Sequence, residues 1–175
     1  ISLFNKKGIL ELKPHANGGF DMTFDNDISD YFDFVIVGTG GSPKNAGYDW
    51  LRKLGHSIVE PVPSLFTFNI PGEKKLKSLM GLAVPSAVVK IQGTKMVQDG
   101  PVLVTHWGLS GPAILKLSAW GARQLFDMNY NFKAQVNWTG GMNEEELRQQ
   151  VMKIAETESK KKISNAKSLD VPNRL

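Results

Sequence analysis

Two short stretches of the chain combine residue types that could do chemistry. In the first, "FVIVGTGGS" at 34–42, an apolar run meets Gly38, Thr39, Gly40 and Gly41, and a helix-like segment follows. Glycines at the exit of a buried strand let a ligand approach the backbone, because no Cβ intervenes. A helix N-terminus just beyond would add free N–H groups and a partial positive charge, which suits a phosphate or a ribose. The same residues also make an ordinary tight turn, and the G-x-G-x-x-G spacing of a primary pyrophosphate loop is missing. In the second, "VTHWGLSGP" at 104–112, Thr105, His106 and the amides from Gly108 to Gly111 stand ahead of another helix-like segment. An imidazole near the positive end of a helix stays neutral, and could carry a proton or a hydrogen bond. The competing reading is a helix entry capped by Ser110, with His106 satisfied by backbone. His106 is the one candidate for a catalytic side chain, with Thr105, Gly108, Ser110 and Gly111 as its neighbours.

Other chemistries find little to work with. The chain has no Cys, so disulfides, thiolate metal sites and thiol catalysis are excluded. His15 and His56 stand alone, without metal-ligand spacing. "GLSGP" misses the G-x-S-x-G elbow by one place. Asp25, Asp27, Asp30 and Asp33 read as a solvated loop. The 175 residues are 41% apolar and 22% charged, an ordinary globular composition. The net charge of +4 is concentrated at Lys74, Lys75 and Lys77 and at Lys160, Lys161 and Lys162. Such clusters bind nucleic acid in some proteins and are solvated helix ends in others. Neither is interleaved with aromatics, which argues against nucleic acid. No run is long enough to span a bilayer, and the absence of Cys fits a cytoplasmic setting. The chain opens in mid-pattern, "ISLFNKKGILELKP", and stops after "SLDVPNRL", as an internal piece of a longer protein would.

The elements that would position these residues are legible from periodicity. Phe20, Met22 and Phe24 alternate with polar residues as in a half-buried strand. The run at 34–37 reads as a strand buried on both faces of a parallel sheet. A short helix is expected at 42–54, stopped by Gly55. Strands are expected near 84–91, 94–98 and 101–105, with turns at Gln92-Gly93 and Asp99-Gly100. Pro112 opens a helix through Ile114, Leu117, Trp120 or Gly121, and Leu125. "NFKAQVNW" reads as a strand. A last helix begins at a capping box, Asn143 with Glu146, and carries Leu147, Val151 and Ile154 on one face.

Two of these segments together resemble a known family. "DFVIVGTGGSPKNAGYDWLRKLGHSI" is similar to the internal strand-and-glycine segment of two-dinucleotide-type flavoproteins, and "LVTHWGLSGPAILKLSAWGAR" resembles a motif of the BaiN-like, aminoacetone-oxidase-like branch of NAD(P)/FAD-dependent oxidoreductases. "GLAVPSAVVKIQG" and "VPNRL" fit the same branch. The resemblance implies an α+β chain: part of an FAD-binding α/β sheet at 1–60, a small β-barrel-like insert at 61–140, and the start of a helical subdomain at 141–175. Thr39, Gly40 and Gly41 would approach the flavin nucleotide, while Thr105, His106, Gly108, Ser110 and Gly111 would face the flavin or substrate. Gly38 stands where Ala is usual, and the loop after the glycines is short.

The resemblance further implies FAD, with NAD(P)H as reductant, in the full-length oxidoreductase. This stretch alone would be inactive and would not retain FAD, since the segments making most flavin contacts lie elsewhere. Its partners would be the remainder of that chain and a small-molecule substrate, with neither membrane nor nucleic acid expected. The rival reading is a non-catalytic β-barrel module that binds RNA or a protein through its basic patches.

Overall fold

A computed structural model describes residues 2–42, 44–160, 171–172 and 174–175. The chain divides into two compact units, Ile1–Pro61 and Val62–Leu175, so the β-rich part and the last helix belong to one unit.

The first unit is built on an antiparallel meander of β1 (Ile9–Pro14), β2 (Phe20–Phe24) and β3 (Ser29–Phe32). The alternation in β2 does what its period demands: Met22 and Phe24 are buried on one face. The run at 34–37 departs from expectation. It is extended but pairs with no strand, and Phe34 and Ile36 are 89% and 97% exposed. A strand buried on both faces needs neighbours on both edges and layers above and below, and this unit supplies neither.

The helix expected at 42–54 is shorter and starts later. A 3-10 turn at Asn45–Tyr48 leads into α1 (Asp49–Lys53). Its stop is as the sequence indicates. Gly55 takes φ 91°, its N–H donates to the Arg52 carbonyl, and the His56 N–H reaches back to the Leu51 carbonyl. Those two bonds close a Schellman motif.

The second unit is a curled antiparallel sheet with helices against it. Its strands are β4 (Phe68–Asn69), β5 (Ala83–Ile91), β6 (Val97–Val104), β7 (Gly108–Ser110) and β8 (Ala134–Asn137), in the order β4-β7-β6-β5-β8. A single turn, α2 (Lys74–Lys77), lies between β4 and β5. The mixed α+β class with a barrel-like sheet is thus the observed one. In β5 the buried positions run Val84, then Ala87, Val89 and Ile91. A bulge between Val84 and Ala87 absorbs the odd step and returns the strand to the same inward face.

Two local expectations fail in this sheet. Asp99-Gly100 is not a turn: the strands expected near 94–98 and 101–105 form one strand, β6, with Gly100 opposite Ala87. Long-range pairing overrides the local turn signal. Nor does Ser110 cap the next helix. It lies in β7 opposite Leu103, and the N-cap of α3 (Pro112–Trp120) is Gly111, with no side-chain cap.

α3 turns Ala113, Ile114, Leu117 and Ser118 inward against the sheet and leaves Trp120 outside. The segment breaks at Gly121 into α3 and α4 (Ala122–Asp127), and a Cβ on Gly121 would overlap the Met96 sulfur. The last helix, α5 (Glu144–Thr157), starts with the expected reciprocal box: the Glu146 N–H donates to Asn143 Oδ1 and the Asn143 N–H to Glu146 Oε2, both at 2.9 Å. Of its stripe, Ile154 is buried, Leu147 is half-buried and Val151 is exposed.

Candidate functional site

In the first unit, Thr39, Gly40 and Gly41 line a basin of about 540 Å³ with Ser42, Tyr48 and Trp50. Thr39 and Trp50 also border an apolar groove of about 270 Å³, walled by Leu12, Met22 and Ile36. The corner is open. Cβ atoms built on Gly38 and Gly40 meet nothing within 4 Å, and one on Gly41 meets only Tyr48 Oη at 3.9 Å. Packing therefore does not explain these glycines, although Gly40 at φ 74° needs the left-handed freedom of glycine.

Tyr48 fixes the far side of the corner: the Ser42 N–H donates to Tyr48 Oη (2.8 Å) and Tyr48 Oη donates to the Ser42 carbonyl (3.3 Å). The helix N-terminus expected directly behind the glycines is not there, since the 3-10 turn intervenes and α1 has five residues.

In the second unit, Thr105 to Gly108 form the tight turn joining β6 to β7. The Thr105 N–H donates to the Gly108 carbonyl (2.7 Å), and the Gly108 N–H donates to Thr105 Oγ1 (3.2 Å). Gly108 and Gly111 have packing reasons to be glycine. A Cβ on Gly108 would overlap the Phe68 carbonyl of β4, and one on Gly111 would sit 2.6 Å from the Pro101 carbonyl of β6. Much of "GLSGP" therefore lets three strands and a helix approach one another closely.

His106 is left at the outer tip of the turn. Its ring lies against Trp107, centroids 3.6 Å apart and tilted by 39°, and both side chains are exposed. It does not sit at the positive end of α3 as expected, because the three residues of β7 come between.

Phe66, Phe68, Tyr130 and Phe132 come together beside this turn, from positions too far apart in sequence to be paired by eye. They line an open-sided cavity of about 300 Å³ together with Thr67 and Asn69. Phe66 meets Tyr130 edge to face at 5.6 Å, and Phe68 meets Phe132 likewise at 4.9 Å. Ser118, fully buried in α3, anchors one wall: its Oγ accepts from the Phe66 N–H (3.0 Å) and donates to the Leu115 carbonyl (2.9 Å).

Outside these places, His15 holds Asp21 through Nδ1 at 2.9 Å. Tyr31 donates to Asp33 Oδ1 (3.1 Å), and that hydrogen bond, helped by desolvation, raises its phenol above the usual tyrosine range. Lys74 and Lys75 are exposed on α2 and Lys77 is half-buried, while Lys161 and Lys162 lie outside the described residues. Among the described residues no acidic, histidine or cysteine group could hold a metal ion, and no helix is long and apolar enough to cross a membrane.

A curled antiparallel sheet backed by a GLSGP-entered helix is the architecture of a barrel-like insert domain. Residues 62–175 match the HI0933-like protein barrel and H2TH domain family, and this span coincides with the second compact unit. The chain belongs to that family, within the HI0933/BaiN-like flavoproteins. It is also similar to the ribosomal RNA dihydrouridine synthase of Escherichia coli, at 36% identity over 87 residues, covering 49% of this chain and 21% of that protein. The ribosomal RNA dihydrouridine synthase of Haemophilus influenzae is 28% identical over 115 residues, covering 59% of this chain and 28% of that protein. The chain thus spans 21% of the length of one relative and 28% of the other.

Proposed function

We propose that this chain is an internal portion of an FAD-dependent, NAD(P)H-linked oxidoreductase whose substrate is a uridine base in ribosomal RNA. The observation that carries the flavoprotein part is the family match over 62–175. The substrate rests on the likeness to two ribosomal RNA dihydrouridine synthases. Reduction of uracil to dihydrouracil adds a hydride to one carbon and a proton to the other across the C5–C6 double bond, with NAD(P)H as the source of electrons. RNA becomes the substrate in this reading, where the sequence alone pointed to a small molecule and away from nucleic acid. The protein would work in the cytoplasm, where ribosomal RNA is made and assembled.

The residues present fit one wall of a flavin-nucleotide site. Thr39, Gly40 and Gly41 offer open backbone and one hydroxyl on a basin wide enough for part of a nucleotide. Among the described residues nothing behind them is arranged to hold a pyrophosphate, whose binding groups would have to come from elsewhere in the full-length chain. FAD, when bound, supplies the hydride-transfer chemistry that side chains lack. The second unit would shape the base-binding cleft of the full-length enzyme, with His106 and Trp107 at the tip of a tight turn. His106 is the candidate for holding or delivering a proton there.

The full-length protein is expected to purify with a flavin absorbance spectrum, and the 175-residue chain without one. A colourless full-length protein that FAD cannot reconstitute would sink the flavoenzyme reading. The rival, a module that binds RNA or a protein through Lys74, Lys75 and Lys77, also allows RNA binding. Only the enzyme reading requires dihydrouridine in the product.

A further inference from the structure

We infer that the cavity lined by Phe66, Tyr130 and Phe132 in the second unit is a stacking site for an unpaired base of the RNA substrate. This inference rests on the RNA reading above and assigns part of the recognition to named side chains.

The first argument is shape. The cavity holds about 300 Å³, some ten times the share of one water in the liquid, which is room for a pyrimidine ring. Its aromatic pairs meet edge to face at interplanar angles of 83° and 72°, so no two of the paired rings lie stacked in parallel. Base-on-aromatic stacking is tolerant of sequence because every base has a π-face. Thr67 and Asn69 are exposed in the lining, and an amide there can both donate to and accept from a uracil edge.

The second argument is that the cavity is held in place. Ser118 pins the Phe66 backbone to α3. Asn129 and Tyr130 both adopt the left-handed region, at φ 51° and 55°, and the Tyr130 N–H donates to the Leu125 carbonyl at the end of α4. That conformation is unfavourable for a bulky residue. The Tyr130 ring is held between Phe66 and Phe126 by edge-to-face contacts and stays 40% exposed.

The third argument is charge and place. Between Ser110 and Met142 the chain carries Lys116, Arg123 and Lys133 against a single acid, Asp127. Arg123 lies one helical turn before Phe126, whose ring meets Tyr130 at 6.2 Å, and Lys133 follows Phe132 directly. A basic segment that carries these aromatics suits a strand whose phosphates run past while a base turns in. The slot also opens on the edge that carries the His106 turn. Asn69 pairs with Gly108, and the Ile70 N–H donates to the Trp107 carbonyl at 2.8 Å. A base in the slot and a nucleotide at His106 would therefore belong to one strand of RNA.

The test uses the full-length flavoprotein and a uridine-rich single-stranded RNA oligonucleotide at fixed salt, read by fluorescence anisotropy. Tyr130→Ala is expected to lose about five-fold or more in affinity, the low end for removing one stacking aromatic, and Tyr130→Phe to keep wild-type affinity. In the wild-type protein, an oligonucleotide carrying 5-iodouridine is expected to photocross-link to Phe66, Tyr130 or Phe132. This second readout decides the matter if Tyr130→Ala does not fold.

Wild-type affinity in Tyr130→Ala, with cross-links elsewhere, overturns the proposal. So does a Tyr130 ring that is solvent-protected in the RNA-free full-length protein, because the protein's own chain would then fill the slot. The underlying reading fails by a different result: wild-type full-length protein that forms no dihydrouridine. Dihydrouridine formation that Tyr130→Ala leaves untouched removes the slot and keeps the enzyme.

Discussion

The two units of this chain carry similar apolar patterns and do different things with them. In the second, Val84, Val89, Ile91, Val102, Val104, Ile114, Leu117 and Leu125 disappear almost completely from solvent between a curled sheet and two helices. In the first, Met22 and Phe24 are buried, while Leu10, Phe34 and Ile36 stay exposed on and beside a three-stranded meander. An apolar run specifies a buried element only if another layer meets it. The second unit contains its own second layer, and its extent is the extent of the family match. The first unit holds a glycine corner with room around it and no second layer, which fits a surface that other parts of a flavoprotein would cover.

The sharpest way to break this comparison is to cut one side chain from each unit. In the 175-residue chain, Leu117→Ala is expected to cost about 2–5 kcal/mol, by lost transfer energy and a residual cavity. Ile36→Ala is expected to change stability by no more than about 0.5 kcal/mol, as at an exposed site. Urea unfolding measures both, and equal costs would remove the distinction. In the full-length protein, a cost at Ile36 that rises above 1 kcal/mol, on the order of one buried methylene or more, would sharpen it.

A smaller contrast concerns hydrogen bonds. Ser118→Ala leaves the Phe66 N–H without its buried acceptor, and about 1–3 kcal/mol is expected. In the first unit the Gly8 N–H donates to Asp25 Oδ2 at an exposed site, where water can replace the carboxylate. Asp25→Ala should therefore stay within about 0.5 kcal/mol.

The smallest effect is a titration. Tyr31 favours its neutral form in the folded state because its hydroxyl donates to Asp33. A phenol raised above its unfolded value contributes stability that is complete below about pH 10 and is lost as pH rises through the folded value. Ultraviolet difference titration should show Tyr31 ionising later in the native chain than in Asp33→Asn. No difference between the two would remove the hydrogen bond as the cause.

Features set by neighbouring residues were legible in the sequence. The Gly55 stop, the Gln92-Gly93 turn and the Asn143–Glu146 box each depend on a few adjacent residues, and each formed. Features set by distant pairing were not. Asp99-Gly100 has the composition of a hairpin turn, yet β5 holds it inside β6. Ser110 has the chemistry of a cap, yet β6 claims it for β7. The aromatic slot was invisible for the same reason: Phe66 and Tyr130 meet only after β4 has found β7 and α4 has ended beneath them. In the candidate site the sequence marked His106 and the glycines together. The structure separates their reasons, packing for Gly108 and Gly111, and an exposed ring on Trp107 for His106.

We propose that this chain serves a flavoenzyme that reduces uridine in ribosomal RNA. The most direct measurement supplies the purified full-length protein with FAD, NAD(P)H and unmodified ribosomal RNA, and then quantifies dihydrouridine by mass spectrometry of the digested RNA. Dihydrouridine is expected only when flavin-loaded protein and the reduced nucleotide are both present. Flavin-loaded protein that oxidises NAD(P)H and leaves every uridine intact would contradict it.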